Sequence, residues 1–258
     1  MVRNIKFLKT GTGLFNMNIY QKELTKEFTI TTNLRDCYDN LKISSILDLT
    51  QEIASLHADI LHVGFNDFYK NNLIWVIVRN KFEIVSECSN LSKVKVKTYP
   101  LKNNLVEYPR DYEIYDENDQ LIIKGRSIWM IYDLTTKNVT TPKLDIFDEG
   151  QTGVFTQRIR RLPKPIKNKE DFDSYFYVKK SLLDHNNHLN NSHCADLFLD
   201  LFNPESDLKI ESFQMEYVSQ CFLNDKLSIY KHKEGNKYLI YAYLDDVLKF
   251  YFEVTCNK

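Results

Sequence analysis

An internal duplication constrains the fold of this chain more than any other feature of its sequence. Residues 86–96, SECSNLSKVKV, match residues 219–229, SQCFLNDKLSI, in Ser, Cys and Lys and in the alternation of apolar positions. A strand-like stretch that ends near an Asp-Asn turn precedes each copy, FTITTNLRDCYDN from Phe28 and DFDSYFYVKKSLLDHNN from Asp171. Laying these stretches together places Asp39 against Asp184. The sequence therefore predicts one structural unit present twice.

Each unit has the same predicted order of elements. The segments LKISSILDLTQEIASLHADILHVGF and NNSHCADLFLDLF carry apolar residues near the helical period, and Pro204 ends the second. Period-2 runs separated by Asp, Asn and Gly turns follow both helices, which indicates antiparallel meanders. We expect an α+β protein with a tandem hot-dog fold, each half a long helix wrapped by a curved antiparallel sheet. The predicted boundaries are 1–140 for the N-terminal half, 141–170 for a linker and 171–258 for the C-terminal half.

Composition excludes several classes of function. A formal net charge of −1 gives no overall attraction to nucleic acid or to an anionic membrane. No apolar run approaches the roughly 20 residues that cross a bilayer, and MVRNIKFLKTGTGLFN lacks the apolar core of a signal peptide. The five cysteines are scattered, so neither a disulfide framework nor a zinc site is indicated. We expect a cytoplasmic protein without a cofactor, either a monomer or a homodimer, because a tandem pair already supplies two-fold packing.

Only the second copy of the duplicated turn is rich in polar side chains. Residues 182–191 read LLDHNNHLNN, and the alignment above sets Asn186, Asn187 and His188 against Leu41, Lys42 and Ile43. A helix cap requires a single such group, which Asn190 or Asn191 supplies. The histidine spacing differs from the HExxH pattern of zinc sites. Capping and metal binding stay open as alternatives, but the surplus of polar groups favours acid–base chemistry.

Three of these groups fall at alternate positions. In an extended segment Asp184, Asn186 and His188 would point the same way. Such a set suits attack on an activated carbonyl: His188 relays a proton, Asp184 orients the imidazole or the water, and Asn186 donates to the oxyanion. Because a thiolate leaves without a strong acid, a thioester is a natural substrate.

The segment DHNNHLNN resembles the D-x-N-x-H-x-N-N segment of the acyl-acyl carrier protein thioesterases of plants and bacteria. Four other stretches are similar to that family in the same order: LTQEIASLH, LIWVIVR, YPRDYEIYD and GRSIWMIYDLTTKNV. The resemblance runs from about residue 26 to 256. It implies a tandem hot-dog enzyme that hydrolyses fatty acyl-acyl carrier protein, releases free fatty acid and ends chain elongation.

The resemblance implies catalytic roles for Asp184, Asn186 and His188. The family also has a catalytic glutamate before a cysteine in the following strand, whereas this chain has Gln220 before Cys221. A glutamine can hold a water molecule but cannot act as a base. Three alternatives follow: Asp184 or His188 activates the water alone, Cys221 attacks as a nucleophile, or the protein is slow or only binds or senses acyl thioesters. An acyl-coenzyme A thioesterase is a further alternative.

The resemblance also implies that the first helix lines the acyl pocket. The candidate acyl-binding residues are Ile46, Leu49, Ile53 and Trp75, and plain core packing is at least as consistent with each. His57, in the same matched helix, is expected to pack rather than to catalyse. The basic stretch QRIRRLPKPIKNK is expected to be a solvated linker, and docking of an acidic carrier protein by Arg158, Arg160 and Arg161 is the alternative.

Overall fold

The computed structural model describes residues 22–144, 152–202 and 208–257. The elements before the linker are β1 (Leu24–Thr29), α1 (Ile43–Ile60), α2 (Phe65–Tyr69), β2 (Leu73–Ile84), β3 (Lys93–Pro100), β4 (Tyr108–Tyr115), β5 (Leu121–Asp133) and β6 (Asn138–Thr140). Those after it are β7 (Phe172–Tyr177), α3 (Leu197–Phe202), β8 (Lys209–Tyr217), β9 (Lys226–Glu234), β10 (Lys237–Leu244) and β11 (Val247–Asn257). Among these elements, no helix is both long and apolar enough to span a membrane.

The strands form one antiparallel sheet whose order repeats itself about its centre. The order is β1-β3-β4-β5-β2-β8-β11-β10-β9-β7, with β6 paired to the outer end of β5. Outward from β2 the strands are β5, β4, β3 and β1, and outward from β8 they are β11, β10, β9 and β7. Apart from β6, the last strand of each half lies next to the central pair and the first strand lies at the edge. This arrangement confirms the α+β class and the duplication expected from the sequence.

The central β2–β8 pair joins the two halves through matched residues. Phe82 lies opposite Phe213, and their rings stack with centroids 5.1 Å apart. A Cβ atom at Gly125 on the neighbouring strand β5 would lie 2.1 Å from the Phe82 ring, so only glycine lets that ring lie flat. Both phenylalanines are fully buried beneath α1, in the main hydrophobic core. The two halves therefore share one core.

The duplicated turn corrects the register predicted from the sequence. Asp36 Oδ1 accepts hydrogen bonds from the backbone N–H groups of Tyr38 and Asn40, at 2.8 and 3.0 Å. Asp184 Oδ1 accepts the same two bonds from Asn186 and His188, at 2.9 and 3.0 Å. The structural equivalent of Asp184 is thus Asp36, and the alignment on Asp39 was wrong by three residues.

In the corrected register Asp39 matches Asn187, and both adopt a φ of 63°. The short polar side chains Asp and Asn tolerate this left-handed conformation. His188 then stands against Asn40, and Asn186 against Tyr38. The asymmetry in polar character between the two turns persists, although it involves different residue pairs.

The two halves differ in their helices. Helix α1 has 18 residues and buries Ile46, Leu49 and Ile53 in the shared core. The helix expected from NNSHCADLFLDLF is instead a 3-10 turn at Asn191–Cys194, capped by the Asn190 side chain, followed by the six-residue α3. Asn, Ser and His have low helix propensity, which accounts for the irregular first turn. A long helix in the second half was therefore a wrong expectation, whereas capping by Asn190 is confirmed.

The linker lies against the outer face of the sheet. Residues 152–168 run across β2, β4, β5 and β8, where Ile159 is buried and Leu162 packs on a tyrosine cluster. Buried charged side chains of the sheet bind linker backbone: Asp111 accepts from Val154 N at 2.7 Å, and Glu216 accepts from Leu162 N at 3.0 Å. Residues 152–168 are thus packed on the sheet, with their arginines exposed, and do not form the solvated linker expected from composition.

Candidate active site

A cavity of about 850 Å³ lies between the two halves. One wall comes from α1, α2 and the first residues of β2, and the floor from β4 and β5. The opposite wall comes from residues 184–194 and 217–221 of the second half. Small-molecule sites typically have volumes of about 300–1,000 Å³. The cavity is therefore large enough for a ligand, and its lining includes Asp184, Asn186 and His188 of the polar turn singled out in the sequence.

The polar turn is not an extended segment. The backbone N–H of Asp184 donates to the carbonyl of His188 at 2.8 Å, which closes a tight turn between two bridging residues. The expectation that Asp184, Asn186 and His188 project together as alternate strand residues was therefore wrong. They nevertheless line the same cavity, because the turn folds over its rim.

Asp184 has a definite structural task. Its Oδ1 atom accepts the backbone N–H groups of Asn186 and His188, and so fixes the geometry of the turn. Asp36 makes the same bonds in the first turn, which has Asn40 at the position of His188. The carboxylate at this position is thus required by the turn itself, whatever else it does.

His188 is half-buried, with its ring edge-on to Phe222 at a centroid distance of 5.0 Å. Asn186 is exposed to the cavity, as is His185, whose ring meets Phe65 of α2 edge-on at 5.3 Å. The amide and the imidazole rings are thus presented at the rim between α2 and the second half. Within the described residues, no group of three His, Cys, Asp or Glu side chains is arranged to hold a metal ion.

Gln220 lines the same cavity with an exposed side chain, while its backbone carbonyl accepts from Lys249 Nζ at 2.7 Å. Glu216, four residues earlier, is elsewhere. It is buried on the outer face, where Oε1 accepts from Arg79 Nε at 2.8 Å and from the linker. Glu216 therefore does not replace the carboxylate missing at Gln220.

The cysteines near the cavity are poor nucleophiles. Cys221 is buried, and that burial raises the pKa of its thiol to about 12. Cys88, its equivalent in the other half, has its pKa raised to about 12 for the same reason. Cys194, also in the cavity wall, is buried with its pKa raised further by Cys221. Thiolate is the reactive form of cysteine, so attack by Cys221 is disfavoured.

The apolar wall of the cavity differs from the one predicted. Trp75 lines it, held by a hydrogen bond from Nε1 to the carbonyl of Val63 at 2.7 Å. Ile46, Leu49 and Ile53 face the core on the other side of α1 and do not line the cavity, so their assignment was wrong. Eight side chains of α1 do line it, most of them small or polar: Leu47, Asp48, Gln51, Glu52, Ala54, Ser55, Ala58 and Asp59.

A buried cation lies at the inner end of the cavity. The Arg110 guanidinium donates to His57 Nδ1 at 2.9 Å and to Thr98 Oγ1 at 3.3 Å. Both Arg110 and His57 are buried, and burial lowers the pKa of Arg110. His57 therefore packs and accepts a hydrogen bond, as the sequence predicted.

The three arginines proposed for carrier docking lie on the outer face of the sheet, away from the cavity lining. Arg158 pairs with Glu107 at 2.7 Å, and Arg161 approaches Glu216 at 3.6 Å. Arg160 is exposed, and only its backbone carbonyl is bonded, to Gln214, among the contacts of the described residues. Two of the three are thus partly committed to holding the linker.

Comparison with known proteins decides the family. The sequence profile of the family described as "Acyl-ACP thioesterase N-terminal domain" matches residues 21–149, which is half of the chain. The chain belongs to the acyl-ACP thioesterase family. The matched part contains α1 and the cavity wall formed by β2, β4 and β5, whereas residues 184–221 lie beyond it.

A curated relative supports this membership of the acyl-ACP thioesterase family. The chain is 24% identical over 200 residues to a chloroplastic acyl-[acyl-carrier-protein] hydrolase of Cuphea viscosissima. The alignment covers 69% of this chain and 47% of the relative, so the chain spans about half the length of the relative it matches.

Solved structures confirm the hot-dog fold. An acyl-ACP thioesterase from Bacteroides thetaiotaomicron superposes with a TM-score of 0.81 at 19% identity, covering 92% of this chain and 98% of the other. A 12:0-ACP thioesterase from Umbellularia californica superposes with a TM-score of 0.78 at 17% identity, covering 93% and 99%. At these identities the likeness bears on the fold alone.

Proposed function

We propose that this protein hydrolyses the thioester of fatty acyl-acyl carrier protein, releasing free fatty acid and ending chain elongation. The observation that carries the proposal is the cavity. It joins an apolar wall from the half that matches the family to a polar rim with His188 and Asn186 from the other half. An acyl thioester has the same division into an apolar chain and a polar reacting group.

In the proposed mechanism each residue of the turn has a separate role. Asn186 donates a hydrogen bond to the oxyanion that forms on the thioester carbonyl, and the Gln220 amide holds the attacking water. His188 relays a proton to the departing sulfur. Asp184 positions both neighbours by binding their backbone N–H groups. Together these residues form the proposed catalytic set, Asp184, Asn186, His188 and Gln220.

The acyl chain is proposed to lie along Trp75 and the small residues of α1, from Ala54 to Ala58. Each buried CH₂ group contributes about 0.8 kcal/mol to binding. Selection for chain length therefore depends on how far the chain reaches before it meets the buried Arg110. We also propose the division into 1–140, 141–170 and 171–258 as the two hot-dog halves and their linker.

A panel of acyl thioesters tests the proposed activity. Purified protein is mixed with acyl-carrier-protein substrates of increasing chain length, and free thiol is measured over time. The account predicts release that depends on chain length and is lost in His188→Ala. Absence of release from every acyl-carrier-protein substrate would refute it. The same acyl group on coenzyme A separates a carrier-protein thioesterase from an acyl-coenzyme A thioesterase.

Gln220 favours a second candidate, an acyl-thioester binding or sensing protein that does not hydrolyse its ligand, because an amide cannot take a proton from water. Tight binding of a non-hydrolysable acyl-carrier-protein analogue without turnover of the thioester would support this function. Turnover of the thioester by the wild type would support the hydrolase.

The proposed docking surface for the acidic carrier protein is the exposed arginine set of the linker. Arg160→Glu is the sharpest variant, since Arg158 and Arg161 also pair with carboxylates of the sheet. We expect a raised KM for acyl-carrier-protein and an unchanged KM for a short acyl-pantetheine. An unchanged KM for both substrates would place docking elsewhere.

A further inference from the structure

A second aspartate faces the candidate active site from the other half of the protein. Asp48 lies on α1 and lines the cavity together with His188, Ser192 and Gln220. Helix α1 contacts the 3-10 turn at Asn191–Cys194, directly after the polar turn. The buried Ser192 hydroxyl lies beside Asp48, where it stabilises the charged carboxylate without completing a hydrogen bond of good geometry among the described residues.

The other carboxylates of the cavity lining have different tasks. Asp184 Oδ1 binds two N–H groups of its own turn. Glu52 forms an ion pair with Lys26 at the outer rim. Asp59 lies at the far end of α1 against Gly64, where a Cβ atom would meet its Oδ1 at 1.8 Å. Asp48 therefore remains as the carboxylate that opens into the cavity beside the polar turn.

We propose that Asp48 is the general base of the reaction and takes the proton from the water held by Gln220. This inference rests on the proposed thioester hydrolysis and adds a catalytic residue to it. The site is then composite: the base comes from the first half, and the oxyanion donor and the histidine come from the second. Neither half holds a complete site.

The chemical step balances as follows. The water oxygen forms a bond to the thioester carbonyl carbon while one water proton moves to an Asp48 oxygen and the carbonyl π electrons move to oxygen. Collapse of this oxyanion restores the C=O bond and breaks the C–S bond. The sulfur takes a proton from His188, which the proton on Asp48 replaces. One water and one thioester give one fatty acid and one carrier thiol.

The surroundings of Asp48 raise its pKa. Burial against the cavity wall raises its pKa, the Ser192 hydroxyl and His193 oppose this, and Asp196 adds to the rise. Tyr217 of β8 faces Asp48 from the cavity wall of the second half, and Glu52 lies one turn along α1. A base is most effective when its pKa approaches the working pH. The rise of the Asp48 pKa from its ordinary value is therefore in the useful direction.

The duplication supplies a matched control for Asp48. Asp48 and Asp196 each lie twelve residues after the aspartate of their turn, Asp36 and Asp184. Asp196 pairs with His193 at 3.9 Å and is not part of the cavity lining. Asp48→Asn and Asp196→Asn thus remove one charge each from the same cluster, but only the first removes it from the cavity.

The test measures thiol release from acyl-carrier-protein as a function of pH for the wild type and both variants. We expect Asp48→Asn to lower kcat by about 10²- to 10⁴-fold and to abolish the acidic limb of the pH profile. Asp196→Asn should keep the plateau rate and move that limb to lower pH, since a repelling charge is gone. Adding Gln220→Glu to Asp48→Asn should raise kcat again by restoring a carboxylate. Circular dichroism checks that each variant is folded.

Three results would overturn the assignment. A folded Asp48→Asn with wild-type kcat and acidic limb would exclude Asp48 as the base. Equal losses of kcat in Asp48→Asn and Asp196→Asn would assign the effect to the charge cluster and not to proton transfer. A wild type that releases no thiol would refute the proposed function and this inference together, whereas the first two results leave the hydrolase intact.

Discussion

Among single residues, Asp36 and Asp184 allow turn formation to be tested apart from the proposed catalysis. Each carboxylate accepts two backbone N–H groups of its turn. A hydrogen bond of this kind contributes about 0.5–1.5 kcal/mol net, so alanine at either position should lower the free energy of unfolding by about 1–3 kcal/mol. Urea titration measures that loss. Only Asp184→Ala should also reduce thiol release, because only its turn presents Asn186 and His188 to the cavity. Equal loss of activity in Asp36→Ala would contradict this division.

Burial of the cysteine thiols leads to a second residue-scale prediction. With the pKa of Cys221 raised to about 12 by burial, almost no thiolate exists at pH 7 to 8. Cys221→Ser should therefore retain turnover, and iodoacetamide should not inactivate the enzyme in proportion to modification of this residue. Cys88→Ser is the control, since Cys88 has the same burial-raised pKa in the half without the histidine. Complete loss of turnover in folded Cys221→Ser alone would revive a covalent mechanism.

At the scale of elements, the linker is held to the sheet by buried charge. Glu216 Oε1 accepts from Arg79, from Gln214 and from the backbone of Leu162. Glu216→Gln removes the nearer counter-charge of the buried Arg79 guanidinium and leaves only Glu107, at 3.7 Å. Breaking such a pair costs about 3–5 kcal/mol.

We therefore expect Glu216→Gln to unfold at lower urea concentration and to expose residues 152–168 to limited proteolysis. Folded protein should keep its kcat, because Glu216 lies on the face away from the cavity. Asp246→Asn removes only an exposed ion pair with Lys167 and should change stability by less than about 0.5 kcal/mol. Loss of kcat with unchanged stability in Glu216→Gln would contradict a structural role.

Some elements of the structure could be predicted from the sequence, and others could not. Helical periodicity located α1, and period-2 runs located the strands, because burial of one face imposes those periods. Periodicity marks the residues that face the core, such as Ile46, Leu49 and Ile53. The side of α1 that lines a cavity carries small and polar residues, including Asp48, and this side looks like an ordinary solvated face. No local sequence pattern distinguishes a cavity-lining helix face from a solvated one.

The predicted alignment of the two turns was wrong for a related reason. The sequence offers two aspartates in the first copy, Asp36 and Asp39, and only the hydrogen-bond pattern identifies Asp36 as the equivalent of Asp184. Residue type alone could still identify the polar turn itself. The cavity-lining side of α1 becomes apparent only where the second half packs opposite it. The outer-face network around Glu216 depends on contacts between residues more than fifty positions apart.

At the scale of the whole molecule, a single sheet and a shared core bring together parts that are far apart in sequence. The cavity has walls from both halves, and the charged residues under the linker tie the outer faces together. Duplication with divergence explains the division of tasks. One copy has a long helix that forms a wall of the cavity, while the other has a shorter helix and carries the polar turn.

We propose that the polar turn of the second half performs thioester hydrolysis. The most direct test of this proposal is the rate of thiol release from a preferred acyl-carrier-protein substrate by the wild type, by His188→Ala and by Asn40→Ala, which alters the equivalent position of the other turn. We expect rapid thiol release by the wild type and release at nearly the same rate by Asn40→Ala. In His188→Ala the rate of thiol release should fall by about 10²-fold or more. Undiminished release by folded His188→Ala would contradict it.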